Sequence, residues 1–149
     1  MTTQVLRTLF ERDLRKLKFE IESFQHEENI WKVSGKIANS SGNLALHLVG
    51  NLNTYFGATL GNTGYVRDRD AEFSTRNVPQ KELVQKIEAT IPVVDAVLRN
   101  LTDEQLKADY PVLVFAEKTS TEFFLIHLAM HLGYHLGQVN YHRRLLDQP

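Results

Sequence analysis

Three histidines near the end of the sequence, His127, His131 and His135, are spaced by four residues. In a helix such residues stack on one face a turn apart, so two imidazoles can converge on one ion. The two histidines of HExxH metalloproteases use this spacing, but positions 128 and 132 are leucines here, and the general-base glutamate of that motif is missing. His127 and His135 lie two turns apart, roughly 12 Å along the axis. One ion therefore takes either the His127/His131 pair or the His131/His135 pair, and His131 is common to both. A third ligand must come from another element. His47, a lone imidazole in the apolar run Leu44-Ala45-Leu46-His47-Leu48-Val49-Gly50, is the best candidate. Three neutral imidazoles leave a position for water or substrate, as catalytic zinc sites do, and they also suit nickel, iron or copper. A single histidine such as His47 is more often a hydrogen-bonded core residue than a ligand. His26 and His142 read most simply as surface residues.

The rest of the composition narrows the chemistry. The 149-residue chain has no cysteine, which excludes disulfides, thiolate metal sites and a cysteine nucleophile. Its 17 basic and 18 acidic side chains give a formal charge of -1, without the basic excess of a duplex-DNA binder. No nucleic-acid partner is expected. The segment from Met1 to Arg12 lacks the apolar core of a signal peptide, and no apolar run has the length needed to cross a bilayer. A soluble, cytoplasmic protein with no membrane partner is the expectation.

Four segments carry the helical periodicity that must position these side chains. The first, about Thr3 to Phe24, repeats Val5, Leu6, Leu9, Phe10, Leu14, Leu17, Ile21 and Phe24 at three- and four-residue steps between charged residues. A polar connection from Gln25 to Ser41 follows, long for a bundle and expected to pack across the surface through Trp31. The second segment, about Gly42 to Leu60 with Ser41 as N-cap, carries His47, Asn51 and Tyr55 on its inner side. A charged loop, Arg67-Asp68-Arg69-Asp70-Ala71-Glu72-Phe73, leads to the third, about Pro79 to Leu101, with Pro79 in the first turn and Pro92 inside as a source of kinking. Residues 102–118 read as a loop with a short extended piece from Tyr110 to Phe115. The fourth segment, about Ser120 to Leu146, opens with a capping-box pattern of Thr119 and Glu122. With no linker or repeat, these elements predict one all-α domain over residues 1–149, a four-helix bundle.

The run His127-Leu-Ala-Met-His131-Leu-Gly-Tyr-His135-Leu-Gly137-Gln138 resembles the last-helix signature of the DinB-like superfamily, and the His47 segment resembles its second-helix histidine. With the loop Arg67–Phe73 included, the chain is similar to a DinB-like branch of unknown function along essentially its whole length. The resemblance implies a four-helix bundle with a long crossover between helices 1 and 2, and often a homodimer. It also implies a metal triad of one helix-two histidine and the H-x-x-x-H before Gly-Gln, here His47, His131 and His135. His127 then lies one turn outside, as an outer partner or pocket lining. Some related proteins are metal-dependent transferases that use a low-molecular-weight thiol such as bacillithiol or mycothiol. The implied mechanism is a bound metal that lowers the pKa of a thiol, which then attacks an electrophile.

The sequence is compatible with two functions. The first is a divalent-metal-binding protein with thiol-dependent transferase or hydrolase activity on a small-molecule substrate. The alternative is a non-enzymatic bundle, binding or stress-related, with a vestigial histidine site; it is favoured by the lack of any Asp or Glu between His127 and His142. Arg67, Arg69 and Arg76 could bind a carboxylate, although charged loops are usually just solvated. Gly133 and Gly137, four apart, would let a neighbouring helix approach closely, in the same bundle or in a second subunit.

Overall fold

The amphipathic repeat of the first segment forms α1 (Thr2–Glu22), which buries Leu6, Phe10, Leu14, Leu17 and Ile21 in the computed structural model, whose described residues are 2–149. The crossover that follows packs through Trp31, as expected, while residues 32–36 stay exposed. It contains a 3-10 turn, Glu27–Trp31, and Trp31 is buried against the start of the next helix. Gly42 makes that contact possible, because a Cβ there would lie 2.6 Å from the indole ring.

Helix α2 (Ser41–Leu52) is capped by Ser40, whose hydroxyl accepts from Asn43 N, so the cap stands one residue before the expected Ser41. Beyond Leu52 the chain widens into a π-helical segment, Asn53–Ala58, rather than continuing as regular helix to Leu60. Asn62 and Gly64, both at positive φ (52° and 75°), turn the chain out of it. The charged loop contains a helix that periodicity could not reveal at six residues: α3 (Arg69–Ser74), started by Asp68, which accepts from Ala71 N. Helix α4 (Gln80–Asn100) runs through Pro92, and Pro79 is its cap, one step outside the first turn. Residues 102–118 also hold a short helix, α5 (Asp103–Lys107), with a capping box between Thr102 and Gln105. The piece from Tyr110 onward is not a strand; among the described residues the one β-pairing is an isolated antiparallel bridge between Asp109 and Ser120. Helix α6 (Thr121–Leu146) is capped by Ser120, which accepts from Phe123 N, in place of the expected Thr119–Glu122 box.

The long helices pack as a bundle: α1 lies against α4 and α6, and α2 bridges α4 and α6. Leu14, Leu48, Leu52, Phe56, Ile87 and Leu125 are fully buried in a core that draws on all four. Burying each such side chain contributes roughly 1.5–3 kcal/mol before the entropy of ordering is subtracted. No helix among the described residues is long and apolar enough to cross a membrane.

Candidate metal centre

The core contact between α2 and α6 sets the register of the histidines. Ring centroids of His47 lie 5.1 Å from His131 and 5.3 Å from His135. Farther along, Tyr55 lies 5.1 Å from Phe124. The two helices therefore run antiparallel, with one histidine of α2 facing two of α6.

The donor nitrogens point inward. His47 Nε2 is 3.2 Å from His131 Nε2, and His135 Nε2 is 3.1 Å from the same atom. The three side chains offer ligand atoms all within 4.8 Å of one another, an arrangement that could hold a metal ion. The structure thus brings together the His131/His135 pair and His47. His127 stays outside: its ring stacks parallel to His131 at 6.4 Å and meets Phe115 edge-on at 4.8 Å.

Partners on the far side of two rings set which nitrogens carry lone pairs. His47 Nδ1 lies 3.0 Å from Glu72 Oε1. A carboxylate only accepts, so Nδ1 carries the proton and Nε2 the lone pair. Arg67 Nη2 is farther from Nδ1, at 3.4 Å, and donates instead to Glu72 Oε1 at 2.9 Å. His135 Nδ1 donates to Gln138 Oε1 at 2.7 Å, the amide being oriented by that contact, so its Nε2 also faces inward as a lone pair. Two lone pairs thus converge on His131 Nε2, and one N–H there cannot make two good hydrogen bonds. A divalent ion about 2.0–2.1 Å from each nitrogen in a tetrahedral arrangement would space them by about 3.4 Å. The two spacings to His131 Nε2, 3.2 and 3.1 Å, are close to that, and with all three ligand atoms within 4.8 Å of one another the donor set fits such an ion.

Electrostatics favour the neutral imidazole at His131 and His135. Burial is the main reason the His131 imidazole is lowered to about 3, with His135, His47, His127 and the Arg67 charge adding to the effect. Burial also lowers His135, and His47 adds to this while the Gln138 hydrogen bond opposes it. Burial pushes the Glu72 carboxyl up, but hydrogen bonds from His47 and Arg67, with the Arg67 charge, outweigh it and hold the group below its usual range.

Glu72 is the site residue that the sequence did not reveal. It stands far from the α6 histidines in sequence, on a helix of six residues, yet its side chain is only 6% exposed and grips His47 on one side and Arg67 on the other. Arg67 donates through Nε to Oε2 at 2.8 Å and through Nη2 to Oε1, a two-pronged contact. Asn43 fastens the end of α3 to α2, donating to the Glu72 and Thr75 carbonyls at 2.9 Å each. A signal existed in the charged loop beside the apolar His47 helix, but nothing in the spacing separated Glu72 from Asp68 or Asp70. Among the expected carboxylate binders, Arg67 is committed to Glu72, Arg69 lies over the Phe73 ring, and Arg76 donates to backbone carbonyls.

A cleft of about 560 Å³ borders the site on its Gln138 side, among Asn39, Leu44, Tyr134, His135, Gln138 and His142. His142 is half-buried there, with Nδ1 enclosed and unpartnered, and is not the surface residue expected. A cavity of about 530 Å³ between the π-helical end of α2 and α4 has no titratable side chain in its lining. Gly133 and Gly137 permit no close approach within the chain: the nearest atom to a Cβ at Gly133 is Asp13 Oδ2 at 4.0 Å, and nothing lies within 4 Å at Gly137.

Fold and site together describe an all-helical bundle with a cluster of three histidines, one buried and two half-buried, braced by a carboxylate and an amide. The chain belongs to the family described as "Protein of unknown function (DUF1572)", whose model matches residues 3–149. No curated protein matches. Among solved structures it is similar to a conserved protein from Enterococcus faecalis, with 14% identity, coverage of 97% of this chain and 96% of that one, and a TM-score of 0.74. At that identity the likeness concerns the fold.

Proposed function

We propose that this chain is a divalent-metal-binding protein of the DinB-like superfamily, with His47, His131 and His135 as the metal ligands. The observation that carries the reading is the convergence of three Nε2 atoms whose outward nitrogens, on two of the rings, already donate to Glu72 and Gln138. When bound, zinc, nickel or iron would supply Lewis-acid polarisation and a lowered pKa for a coordinated thiol or water. The chain's own residues would do the rest. Glu72 and Gln138 orient two rings, burial favours the neutral imidazole at His131 and His135, and Phe73 and Phe115 shield the rims of His47 and His127. Three protein ligands leave room for a fourth group, so a small molecule carrying a thiol is the substrate class we favour, in transfer or hydrolysis. Elemental analysis of purified protein, followed by zinc or nickel titration and assay with several cellular thiols, tests both levels. Metal at one ion per chain supports the site. Metal-dependent thiol turnover that chelation abolishes supports the reaction.

One observation favours a second reading, a binding protein without catalysis. The acid nearest the histidines, Glu72, is committed to Arg67 and His47 and is not free to act as a general base. Bound metal without turnover across the thiol panel would select it.

We also propose a homodimer through the outer face of α6, where Phe123, Ile126, Met130, Tyr134 and Tyr141 are exposed beside Gly133 and Gly137. A monomer mass in sedimentation across micromolar concentrations would refute it.

A further inference from the structure

Two of the three histidines have a hydrogen-bond partner on the nitrogen that faces away from the cluster, and the third does not. His131 Nδ1 is buried and unpartnered. If Nε2 of this ring holds an ion, Nδ1 must carry the proton, because a neutral imidazole has one N–H. A buried N–H without an acceptor is costly, and metal-bound histidines almost always donate that proton to an oxygen.

The described residues contain an acceptor in the complementary situation. Asn51 is 7% exposed, and its Oδ1 is buried with no partner. It follows His47 by four residues on α2 and shares its face. The antiparallel register locates it on α6: His47 lies against His131, and Tyr55, two turns on, lies against Phe124. Asn51, midway, falls level with the turn between His127 and His131. An orphan donor and an orphan acceptor thus occupy facing turns of two packed helices.

We infer that Asn51 is the positioning residue for His131, its Oδ1 accepting the Nδ1–H of that ring when Nε2 holds the metal. This rests on the metal-site reading given above. The three ligands would then each have their own outer partner: Glu72 on α3 for His47, Gln138 one turn along α6 for His135, and Asn51 on α2 for His131. The last link joins the two ligand-bearing helices through side chains that otherwise leave polar atoms unsatisfied.

The inference predicts opposite effects on the empty and loaded protein, which a merely structural role would not give. Asn51→Leu keeps the approximate shape and removes the acceptor. It should raise the melting temperature of the metal-free protein, because a buried unsatisfied oxygen is lost. It should weaken zinc binding about tenfold to a hundredfold, the usual effect of losing an outer partner. Asn51→Asp keeps Oδ1 and should retain zinc affinity at or near that of the wild type. In zinc-loaded protein labelled with 15N-histidine, Asn51→Leu should show one fewer slowly exchanging imidazole N–H than the wild type. Wild-type zinc affinity in Asn51→Leu would overturn the inference, as would equal weakening in the Leu and Asp variants. Failure of the wild type to bind zinc or nickel would remove the metal site and this inference together. Binding by the wild type with undiminished binding by Asn51→Leu would remove the inference alone.

Discussion

The carboxylate of Glu72 rests on the bare backbone of Gly50, so closely that a Cβ at position 50 would lie 1.9 Å from Oε2 and 2.6 Å from Cδ. Gly50 sits one turn after His47 on α2, and its missing side chain is the space through which Glu72 reaches the imidazole. Gly50→Ala would gain about 1 kcal/mol of helix propensity. Against that, overpacking costs about 1–3 kcal/mol, and dragging a buried carboxylate off its partners costs about 3–5 kcal/mol. The clash wins. Denaturant melts should show net destabilisation, and zinc affinity should fall with it; a variant more stable than the wild type would contradict this.

Glu72→Gln separates the carboxylate's charge from its shape. The amide oxygen can still accept from His47 Nδ1, but Arg67, with a side chain only 15% exposed, loses its counter-charge. Stability should drop, and metal affinity should fall about tenfold to a hundredfold as the imidazole loses a charged acceptor. Glu72→Ala should do more on both counts. Calorimetric titration of the purified variants with zinc measures the affinity; unchanged affinity in Glu72→Ala would mean that packing alone holds His47.

Acid should destabilise the metal-free protein before it protonates any carboxylate. His131, lowered to about 3 chiefly by burial, stays neutral in the fold over this range, and His135, lowered for the same first reason, takes up a proton less readily than a free imidazole. In the unfolded chain each takes up a proton near about 6.5. Below that value the unfolded state binds more protons, so stability is whole above it and declines as pH falls towards about 3. Metal-free melting temperatures should therefore decrease between about pH 7 and about pH 4, and His131→Leu should flatten the decrease. Bound metal should be released over the same descent, because protons compete for the ligand nitrogens. A pH-independent melting temperature in this window would show that these rings are solvated.

Sequence periodicity was enough to find the four long helices, because each buries a stripe of large apolar residues such as Leu6, Phe10, Leu14 and Leu17. It missed α3 and α5, whose six and five residues complete too few turns for a stripe and are set by caps at Asp68 and Thr102. The same limit explains the site. His131 and His135 were legible because a helix fixes the relation of residues four apart, and His47 because an imidazole stands out in an apolar run. Spacing left open whether His127 or His135 joins His131, since both lie one turn away; the facing His47 and the Gln138 contact settle which rings converge here. The contact of Glu72 with His47 depends on tertiary register, which one sequence does not carry.

The crossover makes a separate stability prediction. Gly42 faces the Trp31 ring, and three ring carbons would lie 2.6–2.7 Å from a Cβ there. Neither the indole, only 8% exposed, nor the helix backbone has room to give. Gly42→Ala should destabilise the fold by about 1–3 kcal/mol despite better helix propensity, with a change in tryptophan fluorescence. Because Gly42 lies more than a turn before His47, zinc affinity of the folded fraction should stay near wild type. Strong loss of zinc affinity without loss of stability would show that the crossover reaches the site.

The ligand set itself gives the most discriminating expectation. His47→Ala, His131→Ala and His135→Ala each remove one of the converging nitrogens and should strip most of the metal, with helical content by circular dichroism largely intact. His131 is central to the geometry, within 3.2 Å of both other nitrogens, so its loss should be the most complete. His127→Ala removes only a stacked neighbour at 6.4 Å and should weaken binding modestly. His142→Ala leaves all three donors in place and should not change it. Metal content by elemental analysis, measured at matched protein concentration, ranks the five variants. Full retention in His47→Ala would show that the ion does not bridge α2 and α6. Loss in His127→Ala with retention in His135→Ala would move the site one turn toward the start of α6, against the observed separation of the rings.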